Sequence, residues 1–333
     1  MNVHLPLKSK ELKTLHRLRS LKHVPALAAH FAHQQRQADS QDPEIQRAWF
    51  NAMKDVFEEI NEIFWCVPFT TPFQFLDVGC CPGGFSSYIL SRYPLANGTG
   101  MSLPVEKGGH KLLLGEDFHT RFNLIWADIM LFELGNRLVH NHGPNTFAPT
   151  FPFAPDHGGF DLIILDGHPL HTQAIGDSED VHILGDRLII SSLILGMFCI
   201  KNGGSIMMKL SMPDRKITAQ IMYLFDMLSG DLRTWKPVNI HAIQSTFYVI
   251  ARDFGGGMMA GRYWYVLTGL RDLWERLVVG EQNGRLRHDD LDFVVDRRGL
   301  KAYSGRLEEL SRHLWDVEAQ SLLQWHEARE NGF

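Results

Sequence analysis

The sequence has little of what several protein classes require. Four cysteines among 333 residues (Cys66, Cys80, Cys81 and Cys199) lie in apolar surroundings without a C-x-x-C pair or a Cys/His ligand spacing. This predicts a reducing compartment and no metal site. No apolar run reaches the roughly 20 residues that cross a bilayer, and the first residues lack the apolar core of a signal peptide. We therefore expect a soluble, intracellular protein without a membrane span.

Positive charge is scarce overall but concentrated at one end of the chain. The 33 Lys and Arg against 38 Asp and Glu give a net charge of −5. Residues 1–37 nevertheless hold seven basic side chains against Glu11 alone, so this segment carries +6 and the remainder −11. A basic segment on an acidic body predicts an arm that contacts phosphates. The alternative is a solvated helix face, because Leu12, Leu15 and Leu18 recur with helical spacing.

The residues from Phe73 to Leu90 contain the most informative pattern. An apolar strand runs into Asp77, a turn of small residues follows, and an amphipathic helix begins at Phe85. Glycine lets the backbone approach a ligand closely, and a helix start presents unpaired N–H groups to it. The G-x-G-x-x-G spacing of dinucleotide sites is absent, because Gly79 is followed by Cys-Cys-Pro and then Gly83-Gly84. The pattern argues against NAD or FAD and for another nucleotide cofactor.

The decapeptide DVGCCPGGFS at 77–86 resembles motif I of the FtsJ-like methyltransferases, roughly D-[LV]-G-x-x-P-G-G-[FW]-[ST]. The resemblance extends over about Arg47 to Ala251, and the segment GTGMSL at 98–103 is similar to the mRNA-cap 2′-O-methyltransferase branch. It implies an α/β, Rossmann-like fold with a mostly parallel sheet and helices on both faces. It further implies S-adenosyl-L-methionine as cofactor, and methyl transfer to an RNA ribose 2′-OH, in capped mRNA or rRNA, with RNA held by the basic arm.

The resemblance also assigns the site residues. It gives Lys54, Asp166 and Lys209 as the catalytic Lys-Asp-Lys members of a Lys-Asp-Lys-Glu set. The cofactor site would be lined by the loop and by polar residues at the following strand ends: Asp77, Gly79, Cys80, Pro82, Gly83, Gly84, Phe85, Ser102, Asp128 and Asp166. Ligands in open α/β sheets bind beyond the carboxyl ends of strands, so the three aspartates should converge on one crevice.

One position departs from the family pattern. Thr246 stands where the family has the glutamate that completes the catalytic set. We expect impaired activity or a substitute acid, with Glu58, Asp214 and Asp253 left open. Two other functions therefore remain: a cofactor- and RNA-binding protein that has lost turnover, and a methyltransferase for a small molecule or protein, which the net negative charge favours.

Apolar spacing predicts the remaining organisation. We expect a basic helical arm over 1–42, an FtsJ-like domain over 43–254 and a helical extension over 255–333. Within the domain, helices are predicted at 43–64 and 184–200, a buried strand at 160–165, and a long loop at 133–160. Gly255 to Gly257 reads as a hinge. Arg262 and the aromatic residues after it are either a surface that stacks on bases or the start of a packed element.

Overall fold

The computed structural model describes residues 4–20, 25–67, 72–136, 158–169, 178–279 and 285–330. Its helices are α1 (Lys10–Ser20), α2 (Pro25–Ala38), α3 (Pro43–Phe64), α4 (Gly84–Arg92), α5 (Ser178–Cys199), α6 (Lys216–Leu228), α7 (Tyr263–Val279) and α8 (Arg297–Glu330). Its strands are β1 (Phe73–Val78), β2 (Ala96–Ser102), β3 (Phe122–Trp126), β4 (Phe160–Leu165), β5 (Ile200–Ser211), β6 (Ser229–Trp235) and β7 (Thr246–Phe254).

The seven strands form one sheet in the order β3-β2-β1-β4-β5-β7-β6. β7 runs antiparallel to both of its neighbours, and the other described pairings are parallel. The α/β fold with a mostly parallel sheet is thereby confirmed. Val78 is paired with Leu165, and Leu165 with Met208. The residues that follow these three therefore emerge at the same edge of the sheet.

Alternating side chains of the central strands enter two separate cores. Ile163 belongs to the core shared with α5, α6, α7 and α8, whereas Ile164 belongs to the core shared with α3 and α4. Successive strand residues point to opposite faces, so a continuous apolar strand is required when both faces are covered. This accounts for the sequence Phe-Asp-Leu-Ile-Ile-Leu at β4.

Most predicted elements are present, with differences at their ends. The helix predicted at 43–64 has those bounds, and Asp42 caps it by accepting from the N–H of Glu44 at 2.8 Å. The helix predicted at 184–200 begins earlier, at Ser178. Much of the predicted loop at 133–160 lies outside the described residues. The predicted division of the chain into an arm (1–42), an FtsJ-like domain (43–254) and a C-terminal extension (255–333) stays a prediction.

The glycines at 255–257 are not a free hinge in this structure. The N–H groups of Gly255 and Gly257 both donate to the carbonyl of Leu228, at 2.7 and 3.2 Å. These bonds tie the turn to the end of α6. The segment after it starts α7, and the Arg262 side chain lies over the Tyr265 ring at 5.0 Å. The run is therefore the start of a helix. Its residues divide between both alternatives, because Val266 is buried whereas Trp264 and Tyr265 are 70% and 56% exposed, and the surface that stacks on bases stays a prediction.

The N-terminal helices pack on the long C-terminal helix. Leu12 and Leu15 of α1 are buried in a third apolar cluster with Trp315 and Leu322 of α8. The arm therefore does have a packed helix face. Its remaining described basic side chains, at Lys8, Lys10, Lys13, Arg17 and Arg36, are exposed. None of the helices in the described part of the chain is long and apolar enough to cross a bilayer.

A buried ion network joins these helices to the sheet. Arg19 of α1 donates to Glu318 of α8 through two bonds of 2.9 and 3.0 Å. Glu318 also lies 3.8 Å from the Lys236 ammonium, which is 1% exposed, and accepts from the Ser245 hydroxyl at 3.2 Å. On its other side Arg19 lies 3.7 Å from Asp214. Charges buried this deeply are stable only when paired.

We expect Glu318→Ala to lower the free energy of unfolding by about 3–5 kcal/mol, because Arg19 and Lys236 would lose their shared buried carboxylate. Urea denaturation followed by circular dichroism measures this difference. Glu309→Ala is the matched control on the same helix. Glu309 is 69% exposed and pairs with Arg306 at 3.1 Å, so its loss should cost less than about 1 kcal/mol. Equal effects of the two substitutions would contradict the structural role of Glu318.

Candidate active site

The turn between β1 and α4 brings the backbone close to the end of β4. Gly79 has a φ of +80°, and a Cβ added there would lie 2.7 Å from the Cα of Gly167. Only glycine fits such a conformation at such a distance. Gly84 is constrained by space and not by φ, since a Cβ on it would lie 2.8 Å from the backbone nitrogen of Lys54 on α3.

Asp77, near the end of β1, is hydrogen-bonded to the helix that follows this turn. Its side chain is 1% exposed and accepts a hydrogen bond of 2.6 Å from the hydroxyl of Ser86 in α4. Burial raises the pKa of Asp77 to about 7, the nearby Asp166 adds to the rise, and the Ser86 bond opposes it. Of the three aspartates expected to share one crevice, Asp128 and Asp166 line the cavities described below, whereas Asp77 is buried and lines neither of them.

Beyond this turn lies a cavity of about 410 Å³, which we call the central cavity. Its walls come from the turn, from the ends of β4 and β5, from α3, and from α2 of the N-terminal segment. Its lining includes Phe31, Trp49, Asp166, Lys209, His241 and Thr246. Helix α2 thus forms part of the wall that faces the ends of the strands.

Asp166 and Lys209 form an ion pair at the floor of the central cavity. The Lys209 Nζ lies 3.1 Å from Asp166 Oδ1 and donates to the Asp166 carbonyl at 2.6 Å. The Tyr248 hydroxyl donates to the same Oδ1 at 2.9 Å. Burial, together with the Asp166 charge, raises the pKa of Tyr248, so the phenol stays protonated as a donor. The pair is therefore fixed by groups from β4, β5 and β7.

A smaller cavity of about 90 Å³, the β2–β3 cavity, adjoins the central one. Gly79 and His168 line both of them. Ser102 and Asp128 line the small cavity at the ends of β2 and β3. Asp128 accepts from the N–H of Met130 at 2.9 Å, and burial raises its pKa. The lining combines these polar groups with apolar side chains, among them Met101, Leu103, Ile129 and Leu188.

A groove of about 340 Å³ adjoins both the central cavity and the β2–β3 cavity, and it shares Gly167 and Leu188 with the latter. Lys209, His168 and Thr246 line both the groove and the central cavity. The groove is further lined by three cationic side chains, Arg215, Lys216 and Arg285, and by His288, against one acidic side chain, Asp186. We call it the basic groove. Lys209 thus lies where it meets the central cavity.

The structure adds His241 to the site, which sequence reasoning missed. Its ring lines the central cavity, and its Nδ1 lies 2.8 Å from Gln244 Oε1, while the Gln244 amide donates to Gln34 of α2 at 3.0 Å. Burial and the nearby Lys209 charge lower the pKa of His241 to about 4, so the ring is neutral at pH 7. No sequence signal identifies a single histidine in a loop between two strands.

The predicted site residues divide into two groups. Lining one of the cavities are Gly79, Pro82, Ser102, Asp128, Asp166 and Lys209. The others lie behind the walls: Asp77, Cys80, Gly83, Gly84 and Phe85, with Phe85 packed against Phe57 at 5.3 Å between ring centroids. Lys54 is half-buried on α3, one residue after the wall residue Met53. The structure gives the positions of these residues, and the catalytic and cofactor-binding roles assigned to them stay predictions.

None of the three acids considered as substitutes for the glutamate lines the central cavity. Asp214 pairs with Arg19 and contacts two histidines. Asp253 lies at the far end of β7 from Thr246, and Glu58 is exposed on α3. Among the described residues that line this cavity, Asp166 is the only carboxylate.

The family model for FtsJ-like methyltransferases matches residues 53–254. The chain belongs to the FtsJ-like methyltransferase family. This assignment confirms the resemblance seen in the sequence and agrees with the mostly parallel sheet. The matched region contains β1 to β7, and with them Gly79, Asp166, Lys209 and Thr246.

The relatives with similar sequences are also methyltransferases, but their sequence identity to this chain is low. The cap-specific mRNA (nucleoside-2′-O-)-methyltransferase 1 of Xenopus laevis is 28% identical over 194 residues, which is 55% of this chain, and that of Bos taurus is 26% identical over the same length. The chain spans about a fifth of the length of each of them. A solved structure described as a ribosomal RNA methyltransferase from Plasmodium falciparum aligns with a TM-score of 0.40 at 18% identity, over 60% of this chain and 96% of that one.

We expect Gly79→Ala to destabilise this FtsJ-like protein by about 1–3 kcal/mol through backbone strain alone, with the contact to Gly167 adding to it. Gly261→Ala is the control, because a Cβ on Gly261 meets open space and its φ is not in the left-handed region. It should change the free energy of unfolding by less than about 1 kcal/mol. Urea denaturation of both variants measures the difference, and a neutral Gly79→Ala would show that the turn is not constrained as described.

Proposed function

We propose that this protein transfers a methyl group from S-adenosyl-L-methionine to an RNA ribose 2′-hydroxyl. The observation that carries the proposal is the Lys209–Asp166 ion pair, held by Tyr248 where the central cavity meets the basic groove. Methyl transfer to a hydroxyl is an in-line displacement that depends on alignment and on groups that steer the hydroxyl proton. A lysine and a carboxylate fixed at the floor of the cavity are suited to that task.

The chemistry of the lining of the β2–β3 cavity suits part of the nucleoside of the proposed cofactor. The carboxylate of Asp128 and the hydroxyl of Ser102 can accept hydrogen bonds from an adenine amine or a ribose, while Met101, Ile129 and Leu188 offer an apolar surface to the base. When bound, S-adenosyl-L-methionine supplies a methyl group on a positively charged sulfur. The Gly79 turn, where both cavities meet, would hold the remainder of the cofactor by its backbone.

The basic groove supports RNA over a small molecule or a protein as substrate. Cationic side chains beside a cavity attract phosphates, whereas the rest of the chain is acidic and would repel nucleic acid elsewhere. Arg215 and Arg285 lie within one groove that reaches Lys209, whereas Lys216 in the same groove is already paired with Asp292 at 2.6 Å. The RNA-modifying relatives favour the same substrate class. The exposed lysines of the N-terminal segment would add contacts to phosphates farther along the strand.

A second candidate is a cofactor- and RNA-binding protein with impaired turnover. It is favoured by Thr246, which lines the central cavity where the family has its glutamate. Threonine can donate or accept a hydrogen bond but carries no charge. The two candidates share the same ligands and differ only in transfer of the methyl group.

We expect the wild-type protein to transfer labelled methyl from S-adenosyl-L-methionine to total or capped RNA, and Lys209→Met to lower the rate by about 10²-fold or more. The matched control is Lys201→Met. Lys201 is also on β5 and also pairs with an aspartate of the β4 segment, Asp161 at 2.9 Å, but at the opposite end of both strands. It should retain the wild-type rate.

The outcomes separate the candidates. Equal losses in both lysine variants would contradict a specific role for Lys209. Cofactor binding by calorimetry without transfer by the wild-type protein would overturn the active enzyme and support the impaired candidate. Thr246→Glu then tests whether the missing carboxylate is the cause, since restored transfer is expected only in that case.

We expect Arg215→Ala to weaken RNA binding about equally for all RNA sequences. The slope of log affinity against log salt concentration should fall by about one, which corresponds to the loss of one phosphate contact. Fluorescence anisotropy at several salt concentrations measures both quantities. Arg233→Ala is the control, because Arg233 is 53% exposed on the edge strand β6, where it pairs with Asp231. Equal affinity and salt slope for Arg215→Ala and the wild type would exclude the basic groove as the RNA path.

A further inference from the structure

Two histidines of the N-terminal segment contact a carboxylate that follows β5. His4 precedes α1, His16 lies within α1, and Asp214 lies in the turn between β5 and α6. The Nδ1 of His4 is 2.6 Å and the Nε2 of His16 is 3.1 Å from the same oxygen, Asp214 Oδ2. The three ligand atoms lie within 4.8 Å of one another.

A second observation at this cluster concerns the other carboxylate oxygen. The Asp214 side chain is 0% exposed, and its Oδ1 has no hydrogen-bond partner in the part of the chain that the structure describes. The Arg19 Nη1 lies 3.7 Å from it, beyond hydrogen-bonding distance. The charge of Arg19 is already shared with Glu318 through two shorter bonds. A buried carboxylate in this position favours a further cation.

We propose that His4, His16 and Asp214 form a Zn²⁺ site that fastens the N-terminal segment to the turn after β5. Two imidazole nitrogens and one carboxylate oxygen are a typical ligand set for zinc, at about 2.0–2.2 Å from the metal. Ca²⁺ and Mg²⁺ require more oxygen ligands than this cluster offers.

The geometry requires adjustments of all three ligand separations. Two ligands of a tetrahedral ion are roughly 3.4 Å apart at these bond lengths, so the two nitrogens have to move from the Asp214 oxygen by less than about 1 Å. The two nitrogens, which lie within 4.8 Å of each other, have to reach the same separation. The imidazoles are 40% and 46% exposed, and water can therefore supply the fourth ligand. Arg19 beside Oδ1 would hold the carboxylate in place, as groups behind the ligands of metal sites do.

The site would connect parts of the chain that are about 200 residues apart. The backbone already makes contact there, since the N–H of Leu5 donates to the Asp214 carbonyl at 2.8 Å, and His4 forms an isolated β-bridge with Arg215. A metal ion would strengthen the attachment of α1 beside the basic groove. The sequence predicts no metal site because these ligands show no short spacing.

The test uses the full chain after removal of metals with a chelator. Calorimetric titration with Zn²⁺ should show one site in the wild-type protein, with a rise in the thermal midpoint, and Co²⁺ should give the visible absorption of a tetrahedral site. His16→Gln and His4→Gln should each raise the zinc dissociation constant at least tenfold and abolish the Co²⁺ absorption. These two variants leave the Asp214–Arg19 pair intact, so they should fold.

His119→Gln is the control for binding to surface histidines, because His119 is exposed and lies outside the cluster. It should bind Zn²⁺ as the wild-type protein does. The proposal is overturned if the wild type binds no Zn²⁺, or if His16→Gln and His119→Gln bind it equally. None of these readouts depends on methyl transfer, so their failure is distinct from failure of the proposed function.

Discussion

The ion pair between Lys209 and Asp166 is the constraint on which the site depends. Removing two opposite charges from water is costly, and their attraction offsets this only when the geometry is good and the remaining donors and acceptors are satisfied. Here the Asp166 carboxylate also accepts from Tyr248, and Lys209 also donates to the Asp166 carbonyl. These contacts need β4, β5 and β7 side by side. The order and register of the sheet are therefore what position the candidate catalytic groups.

The helices outside the common sheet take part in the same site. Helix α2 contributes Phe31 and Gln34 to the wall of the central cavity, and the Gln34 amide oxygen accepts from Gln244, the partner of His241. The buried pair of Arg19 and Glu318 holds α1 against α8 near that wall. The N-terminal segment thus supplies part of the wall of the central cavity. A substrate that enters the cavity would contact residues outside the 53–254 region that matches the family model.

Much of the fold could be predicted from local sequence patterns, whereas contacts between residues far apart in the sequence could not. The strand β4 and the Gly79 turn follow from apolar runs and small residues that are adjacent in sequence. By contrast, Asp77 was expected in the crevice, because sequence does not show which neighbour its carboxylate will bond. The role of Glu318 could not be predicted, since its partner Arg19 is 299 residues away.

Thr246 leaves the central cavity without a carboxylate that the family pattern has at this position. The family pattern would place a second carboxylate there, whereas in this chain Asp166 is the one negative side chain among the described wall residues, and it is already paired with Lys209. His241 is neutral at pH 7 because burial and the Lys209 charge disfavour its protonated form. The cavity would therefore offer a nearly neutral surface to the positively charged sulfur and the hydroxyl of the proposed reaction. In the proposed reaction, the rate would therefore depend on alignment of the two reactants and on the Lys209–Asp166 pair, while the catalytic role of Lys54 stays a prediction.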